Sequence, residues 1–290
     1  MDKTITYNIL IFIIGTFIMT FILVFYIQTK IRTKKVDKSI SKKNCTPDNK
    51  NQYFRNIPFD DLEIAFWVAI HYQIVDDPSN LMNALLLKWI REDKIDVIND
   101  GHQTIIDFNK IFKTEPGFES EFYISLLISA SSNQDRLLGE REFQRFFENY
   151  EDHLIKLFSK MDKEVQKKLI KQNLISIQKD KQNHSVIVES PALDEKANQL
   201  LGLKNFLNDF SSVDEKTPKE VHLWEDYLIY AALFGISDKV AKTLETVLPD
   251  IDQMIKFSSA KVGLVSALAA TAKITFILLL GGIGASNNND

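Results

Sequence analysis

Five histidines are the side chains of this chain best suited to bind a metal ion or to transfer protons near neutral pH. They are His71, His102, His153, His184 and His222. No two of them have the close spacing that places two metal ligands on one helix or turn, and Cys45 is the single cysteine. We therefore predict neither a metal site nor a bound cofactor.

Carboxylates are the next candidates, because a pair of them can act as general acid and general base. Asp60, Asp61 and Glu63 form one group, and Glu225 and Asp226 form another. Both groups stand where helices begin, a position at which carboxylates commonly cap a helix. The chain has ten glycines and contains no glycine-rich phosphate loop or nucleophile elbow. We predict that it is not an enzyme, and a hydrolase assembled from scattered residues is the third-ranked hypothesis.

An N-terminal apolar segment is the strongest single signal in the sequence. Ile5–Ile27 is twenty-three residues long and uncharged. As a helix it measures about 34 Å, enough to cross a hydrocarbon core of about 30 Å. A cleaved signal peptide is the alternative, but its positive charges would precede the apolar region rather than follow it. The pattern predicts a transmembrane anchor at residues 1–28.

A basic cluster follows the predicted anchor and sets its orientation. It consists of Lys30, Arg32, Lys34, Lys35, Lys38, Lys42 and Lys43. By the positive-inside rule, the N-terminus lies outside and the main body lies in the cytoplasm. The cluster also predicts contact with the headgroups of membrane lipids. Residues 29–57 are polar and read as a solvated linker.

The rest of the chain is acidic. Residues 58–116 carry a formal charge of −6, residues 117–190 carry −1 and residues 191–256 carry −5. An acidic surface repels the phosphate backbone, so a nucleic-acid partner is disfavoured. A single cysteine is consistent with the reducing cytoplasm, because no intrachain disulfide can form.

Residues 58–116 have the outline of a winged-helix module. Apolar residues at helical spacing predict one helix from Leu62 to Ile70 and a second that begins near Ser79 and runs through Trp89. Two short alternating runs then meet at Asp100 and Gly101, a dipeptide favoured in hairpin turns. Two helices followed by a hairpin are the elements of this module.

Residues 117–190 repeat that order more loosely. A helix at Phe122–Ile128 and a long charged helical region at Glu140–Gln172 precede short apolar runs at Leu174–Ile177 and Val186–Val188. We predict a second winged-helix-like module here.

The C-terminal part reads as helical throughout. In residues 191–257, Leu193–Phe210, Val221–Phe234 and Asp238–Leu248 are predicted helices, and the second of them is apolar on nearly all sides. Residues 258–290 contain an apolar segment, Val262–Ile283, which is long enough to span but has Lys273 at its middle. The segment is either a second span or a helix that lies on the membrane or is buried in protein.

Three stretches resemble the YciQ-like predicted bacterial membrane proteins, a family of unknown function. They are GLKNFLND at Gly202–Asp209, LWEDYLIYAALFGISDKVAK at Leu223–Lys242, and the segment Phe66–Ile95 with FWVAIHYQIVDD and LMNALLLKWIREDKI. The resemblance covers roughly residues 57–250. It implies a membrane protein with a helical cytoplasmic part, and it implies no activity, because the family has no established catalytic residues.

The predicted fold is therefore mainly α with short β-hairpins: a transmembrane helix, winged-helix-like modules and a C-terminal helical subdomain. We predict a membrane-tethered, non-enzymatic scaffold that binds a protein partner or a second copy of itself. The structural and interaction residues predicted for it are Trp89, Trp224, Tyr227 and Gly235. The alternative is a membrane-anchored DNA-binding regulator whose recognition helix, Leu81–Glu92, presents Lys88 and Arg91.

Overall fold

The computed structural model describes residues 52–108, 116–131, 135–180, 183–209, 223–247, 256 and 258–271, all within one structural unit of residues 42–280. The predicted anchor at residues 1–28, the seven basic residues from Lys30 to Lys43 and residues 272–290 lie outside these ranges. Within them, no helix combines the length and the apolar composition needed to cross a membrane.

The described part is mainly helical with small antiparallel sheets, as predicted. Its helices and strands, in chain order, are α1 (Leu62–His71), α2 (Asn80–Arg91), β1 (Asp96–Asn99), β2 (Thr104–Asp107), α3 (Phe118–Ala130), β3 (Leu137–Gly139), α4 (Glu140–Asn149), α5 (Glu151–Lys171), β4 (Ile175–Lys179), β5 (Ser185–Glu189), α6 (Pro191–Asn208), α7 (Trp224–Leu233), α8 (Ser237–Val247) and a helix over 259–271, here α9.

Helix α1 begins at Asp61, a capping residue that the sequence indicated, and α2 begins directly after Ser79, as predicted. Asp61 Oδ1 accepts hydrogen bonds from the backbone N–H groups of Glu63 and Ile64 at 3.0 and 3.1 Å, which starts α1. Asp77 Oδ1 accepts from Ser79 Oγ at 2.6 Å in the turn that leads into α2. Nine of the twelve residues of α2 are buried, because this helix packs most extensively against α7.

Hairpin β1–β2 confirms the predicted strand pair, with Val97 opposite Ile106. Its loop is longer than a two-residue turn: Asp100 Oδ1 accepts from the N–H groups of His102 and Gln103, and Gly101 has a φ of +90°. Strand β3 then pairs with β2 on the side away from β1, with Leu138 opposite Ile106. A strand from residues 117–190 therefore completes the sheet of residues 58–116.

The predicted helix over Glu140–Gln172 is two helices, α4 and α5, which meet at Tyr150. Their inner faces join α3 in an aromatic core, where Phe122 lies within 6.5 Å of four other phenylalanine rings. Hairpin β4–β5 follows as a separate two-stranded sheet. Both segments thus contain helices followed by a hairpin, and their assignment as winged-helix modules stays a prediction.

The C-terminal segments pack onto α2. Helices α7 and α8 are joined by a short turn at Gly235, and the predicted helix boundaries of this part hold to within three residues at the ends that the structure describes. Helix α9 contains the first ten residues of the predicted span Val262–Ile283. Val262, Val265 and Leu268 are fully buried in the protein, which agrees with the buried-helix alternative for these ten residues.

Candidate functional site

A polar cleft of about 600 Å³ opens where five segments of the chain meet. They are the turn before α2, the first residues of α2, Lys204 on α6, the turn between α7 and α8, and one face of α9. A cavity of this size falls in the range used by small ligands and by short peptide segments. It is our candidate functional site.

Asn83 is the most deeply buried asparagine that lines the cleft. It stands in the apolar helix α2 and is only 7% exposed. Its Nδ2 donates a long hydrogen bond of 3.4 Å to Ser266 Oγ on α9, whereas its Oδ1 has no hydrogen-bond partner in the part of the chain that the structure describes. Burying an amide oxygen without a partner costs about 1–3 kcal/mol. The fold therefore retains a costly polar group at this position.

Two hydroxyl groups and a carboxylate lie beside Asn83. Ser266 Oγ donates to Asp238 Oδ1 at 2.7 Å, and Ser237 Oγ lies 3.2 Å from Ser266 Oγ. Because the single proton of Ser266 is directed at Asp238, the hydroxyl of Ser237 must donate to Ser266. The lone pairs of Ser237 and the amide oxygen of Asn83 then act as acceptors.

The lysines around the cleft are already engaged. Lys204 Nζ donates to the backbone oxygen of Ile74 at 2.6 Å, and Lys239 Nζ donates to Asn208 Oδ1 at 3.0 Å. Burial lowers the pKa of Lys204, and the nearby charge of Asp76 offsets only part of this effect. The cleft thus presents mainly hydrogen-bond acceptors, which suits an occupant with N–H or O–H donors. No histidine lines it among the described residues, so its hydroxyls have no imidazole base beside them.

Gly235, one of the four predicted residues, lies in the wall of this cleft. Its φ of +74° is in the left-handed region, where it ends α7. A Cβ atom at this position would approach Asn80 Nδ2 to 2.9 Å. The backbone therefore favours glycine here, and a larger residue would also have to displace the side-chain amide of Asn80.

Trp89 is fully buried near the C-terminal end of α2, whereas the cleft lies at the N-terminal end of this helix. Its Nε1 donates to Glu119 Oε1 at 2.8 Å, and the same carboxylate accepts from Lys94 at 3.1 Å and pairs with Lys88. Burial alone would raise the pKa of Glu119, but the two lysines outweigh it and hold the pKa below its usual range. This cluster ties α2 to the start of α3.

Trp224 and Tyr227 are also buried, and they stand one turn apart on α7. Their rings meet edge to face with centroids 6.2 Å apart, and Tyr227 donates its hydroxyl to the backbone oxygen of Arg55 at 2.9 Å. Their contacts in the described structure hold the helices together, and of the four predicted residues only Gly235 lines the cleft.

The chemical groups considered first in the sequence are dispersed. His71 is buried, stacks on Trp67 and lies 2.7 Å from Glu189 Oε1. His153 Nε2 lies 3.0 Å from Ser125 Oγ, and His184 Nδ1 lies 3.3 Å from Asp180 Oδ2 in its own hairpin loop. Among the described residues no cluster of three or more metal-binding side chains occurs. Lys88 and Arg91 pair with Glu119 and Asp226, so presenting them to a DNA backbone would require both ion pairs to open.

Sequence reasoning did not identify Asn83, Ser237, Ser266 or Asp238 as site residues. One signal was available: Asn83 interrupts the apolar run LMNALLL in a helix that is otherwise suited to a core. A polar residue in such a place is expensive unless it has a partner.

Comparison with known proteins identifies one family. Residues 182–244 match the family model described as the C-terminal domain of a predicted membrane protein (DUF2207), and this range includes Lys204 and the α7–α8 turn of the cleft. No curated protein and no solved structure matches the chain. The family match supports the broader part of the resemblance, namely a DUF2207-type membrane protein of unknown function, and it supports membrane association.

Proposed function

We propose that this chain is a non-enzymatic, membrane-tethered interaction protein whose cytoplasmic part receives a segment of a protein partner, or of a second copy, in the polar cleft. The observation that carries this proposal is the buried oxygen of Asn83, which has no partner among the described residues. Because this oxygen is closed off from solvent, the side chain of Asn83 must turn toward the cleft before a backbone N–H or a polar side chain of a bound segment supplies the donor that it lacks.

The composition of the cleft fits such an occupant. Its acceptors come from Asn83, Ser237 and Asp238, while the apolar Phe234 and Ala269 line other parts of the wall. Polypeptide segments present N–H donors and small apolar groups together, which matches this mixture better than a purely charged ligand does. Two segments of the wall, Lys204 and the α7–α8 turn, lie in the part of the chain that matches the membrane-protein family.

Site-specific photo-crosslinking in living cells tests the proposal. A photoreactive phenylalanine analogue replaces Ala270, an exposed residue of α9 that lines the cleft. The matched control is the same replacement at Ala260, an exposed alanine of the same helix that does not line it. We expect a discrete cross-linked product from Ala270 and none from Ala260.

The variant Asn83→Leu then tests whether the cross-link depends on the amide group of Asn83. Leucine has the same branched shape as asparagine but no donor or acceptor, so the cross-link at Ala270 should fall at least fivefold. A product of twice the mass of the chain identifies self-association, and any other mass identifies a different partner. Identical products from both alanines, or a cross-link unchanged by Asn83→Leu, would contradict the proposal.

The DNA-binding regulator remains the alternative prediction. It requires Lys88 and Arg91 to leave Glu119 and Asp226, with which they pair. Binding of the full chain in detergent to random duplex DNA at low salt, compared with the double variant Lys88→Ala/Arg91→Ala, tests it directly. Affinity that is lost in the double variant supports the regulator.

A further inference from the structure

The outer face of α5 carries a row of five lysines. Lys156, Lys160, Lys163, Lys167 and Lys171 follow one another at intervals of four, three, four and four residues. At 3.6 residues per turn, these positions fall within an arc of about 80° on one side of the helix. All five are exposed. We call this row the α5 lysine face.

The core fixes the direction in which this face points. The buried residues of α5 are all apolar and lie on the opposite side of the helix: Leu154, Leu157, Phe158, Met161, Val165 and Leu169. Rotating the lysines inward would expose this apolar side, so the lysine face is a fixed feature of the folded protein.

Most of its charge is uncompensated. Lys160 pairs with Glu121, whereas the other four lysines form no ion pair with the described residues. Two carboxylates lie beside the row: Glu164 at the edge of the lysine face and Asp152 one turn before Lys156. The face is about 22 Å long and concentrates positive charge on a chain whose formal net charge is −4.

An apolar side chain accompanies the lysines. Ile170 is exposed on α5 at the edge of the row, between Lys167 and Lys171 in the sequence. A nucleic-acid backbone offers little to such a group. The boundary of a lipid bilayer accepts both, because phosphate headgroups lie directly above hydrocarbon. The family match supports membrane association, which makes a lipid surface a partner available to this protein.

We infer that the α5 lysine face docks on an anionic lipid surface, so that the folded part lies against the membrane through contacts separate from its anchor. This inference does not depend on the polar cleft. Each lysine near an anionic leaflet contributes about fivefold to the binding equilibrium. Four unpaired lysines make the docked state dominant in a tethered protein, where the surface is always near.

The test measures how fast individual lysines react with an amine-modifying reagent in the full chain. The chain is placed in nanodiscs of phosphatidylcholine alone or of phosphatidylcholine and phosphatidylglycerol in equal parts, and mass spectrometry resolves each lysine. We expect Lys163 and Lys167 to react at least about fivefold more slowly in the anionic discs, because docking through several lysines shields each of them for most of the time. Lys242, exposed on α8, serves as the internal control. The protection should disappear at about 1 M salt, where the Debye length is about 3 Å.

A double variant asks whether the row acts as a unit. In Lys163→Glu/Lys167→Glu, the remaining Lys156 and Lys171 should lose their protection. The matched control is Arg141→Glu/Arg145→Glu, two exposed arginines on α4 with the same spacing and the same change of charge.

Three results would overturn the inference. The first is an equal reaction rate of the row in both kinds of disc, and the second is equal loss of protection in the two double variants. The third is protection by random duplex DNA without protection by anionic lipid, which would assign the face to nucleic acid.

Discussion

Asn83 is the residue at which stability and the proposed function conflict. Its buried amide oxygen has no partner among the described residues, so a leucine there removes an unsatisfied group while keeping the branched shape of the side chain. We expect Asn83→Leu to raise the free energy of unfolding by about 1 kcal/mol. Denaturant unfolding of the full chain in detergent, followed by tryptophan fluorescence, measures the change. Asn149→Leu, at the exposed end of α4, controls for added hydrophobicity. A destabilised Asn83→Leu variant would show that Asn83 has a structural role instead.

Glu119, unlike Asn83, stabilises the fold through its contacts. It accepts from the buried indole of Trp89 and pairs with Lys88 and Lys94. We expect Glu119→Ala to lower the free energy of unfolding by about 1–3 kcal/mol, since it leaves the indole N–H unpaired. The same denaturant titration measures it, with Glu148→Ala on the exposed surface of α4 as the control. Equal effects of the two substitutions would contradict this role.

At the scale of elements, the α7–α8 turn positions one wall of the cleft through Gly235. Gly235→Ala forces an alanine into the left-handed region and brings its Cβ against Asn80, so we expect a loss of about 1–3 kcal/mol. Gly101→Ala in hairpin β1–β2 is the matched control, because it has a φ of +90° but open space around the new Cβ. The difference between the two melting temperatures isolates the contact with α2. A smaller loss at Gly235 than at Gly101 would show that the turn can shift.

Elements whose signals are local could be predicted from the sequence. Helical spacing and capping residues gave α1, α2 and the helices after residue 190, because these patterns depend on neighbours within four residues. The break at Tyr150 was missed, since the charged pattern continues through it. Strand β3 was missed as well, because three residues are too few to show alternation. The cleft could not be predicted at all: Asn83 and Ser266 are 183 residues apart, and only tertiary packing brings them together.

At the scale of the whole molecule, two partly buried carboxyl groups should give stability opposite dependences on pH. The pKa of Glu119 is lowered from 4.5, so its contribution to stability is present above that value and is lost as the pH falls through the lower, folded-state pKa. Burial and the charge of Asp61 raise the pKa of Glu63 above 4.5, although Lys168 opposes them. The ionised Glu63 therefore lowers the stability of the fold at neutral pH. This loss of stability disappears as the pH falls through the raised pKa of Glu63.

Neutral substitutions should separate these two effects. We expect Glu63→Gln to raise the melting temperature of the full chain at pH 7, and the gain should vanish below about pH 4, where Glu63 is protonated in both states. Glu119→Gln should lower the melting temperature at pH 7, and its deficit should shrink only at still lower pH, because the folded state holds Glu119 ionised longer. Thermal melts of the two variants and the parent chain in detergent, from pH 3 to pH 8, measure both differences. If the melting temperatures of the parent and of Glu63→Gln change in parallel with pH, Lys168 fully compensates the burial of Glu63. The Nζ atom of Lys168 lies 3.5 Å from the carboxylate of Glu63.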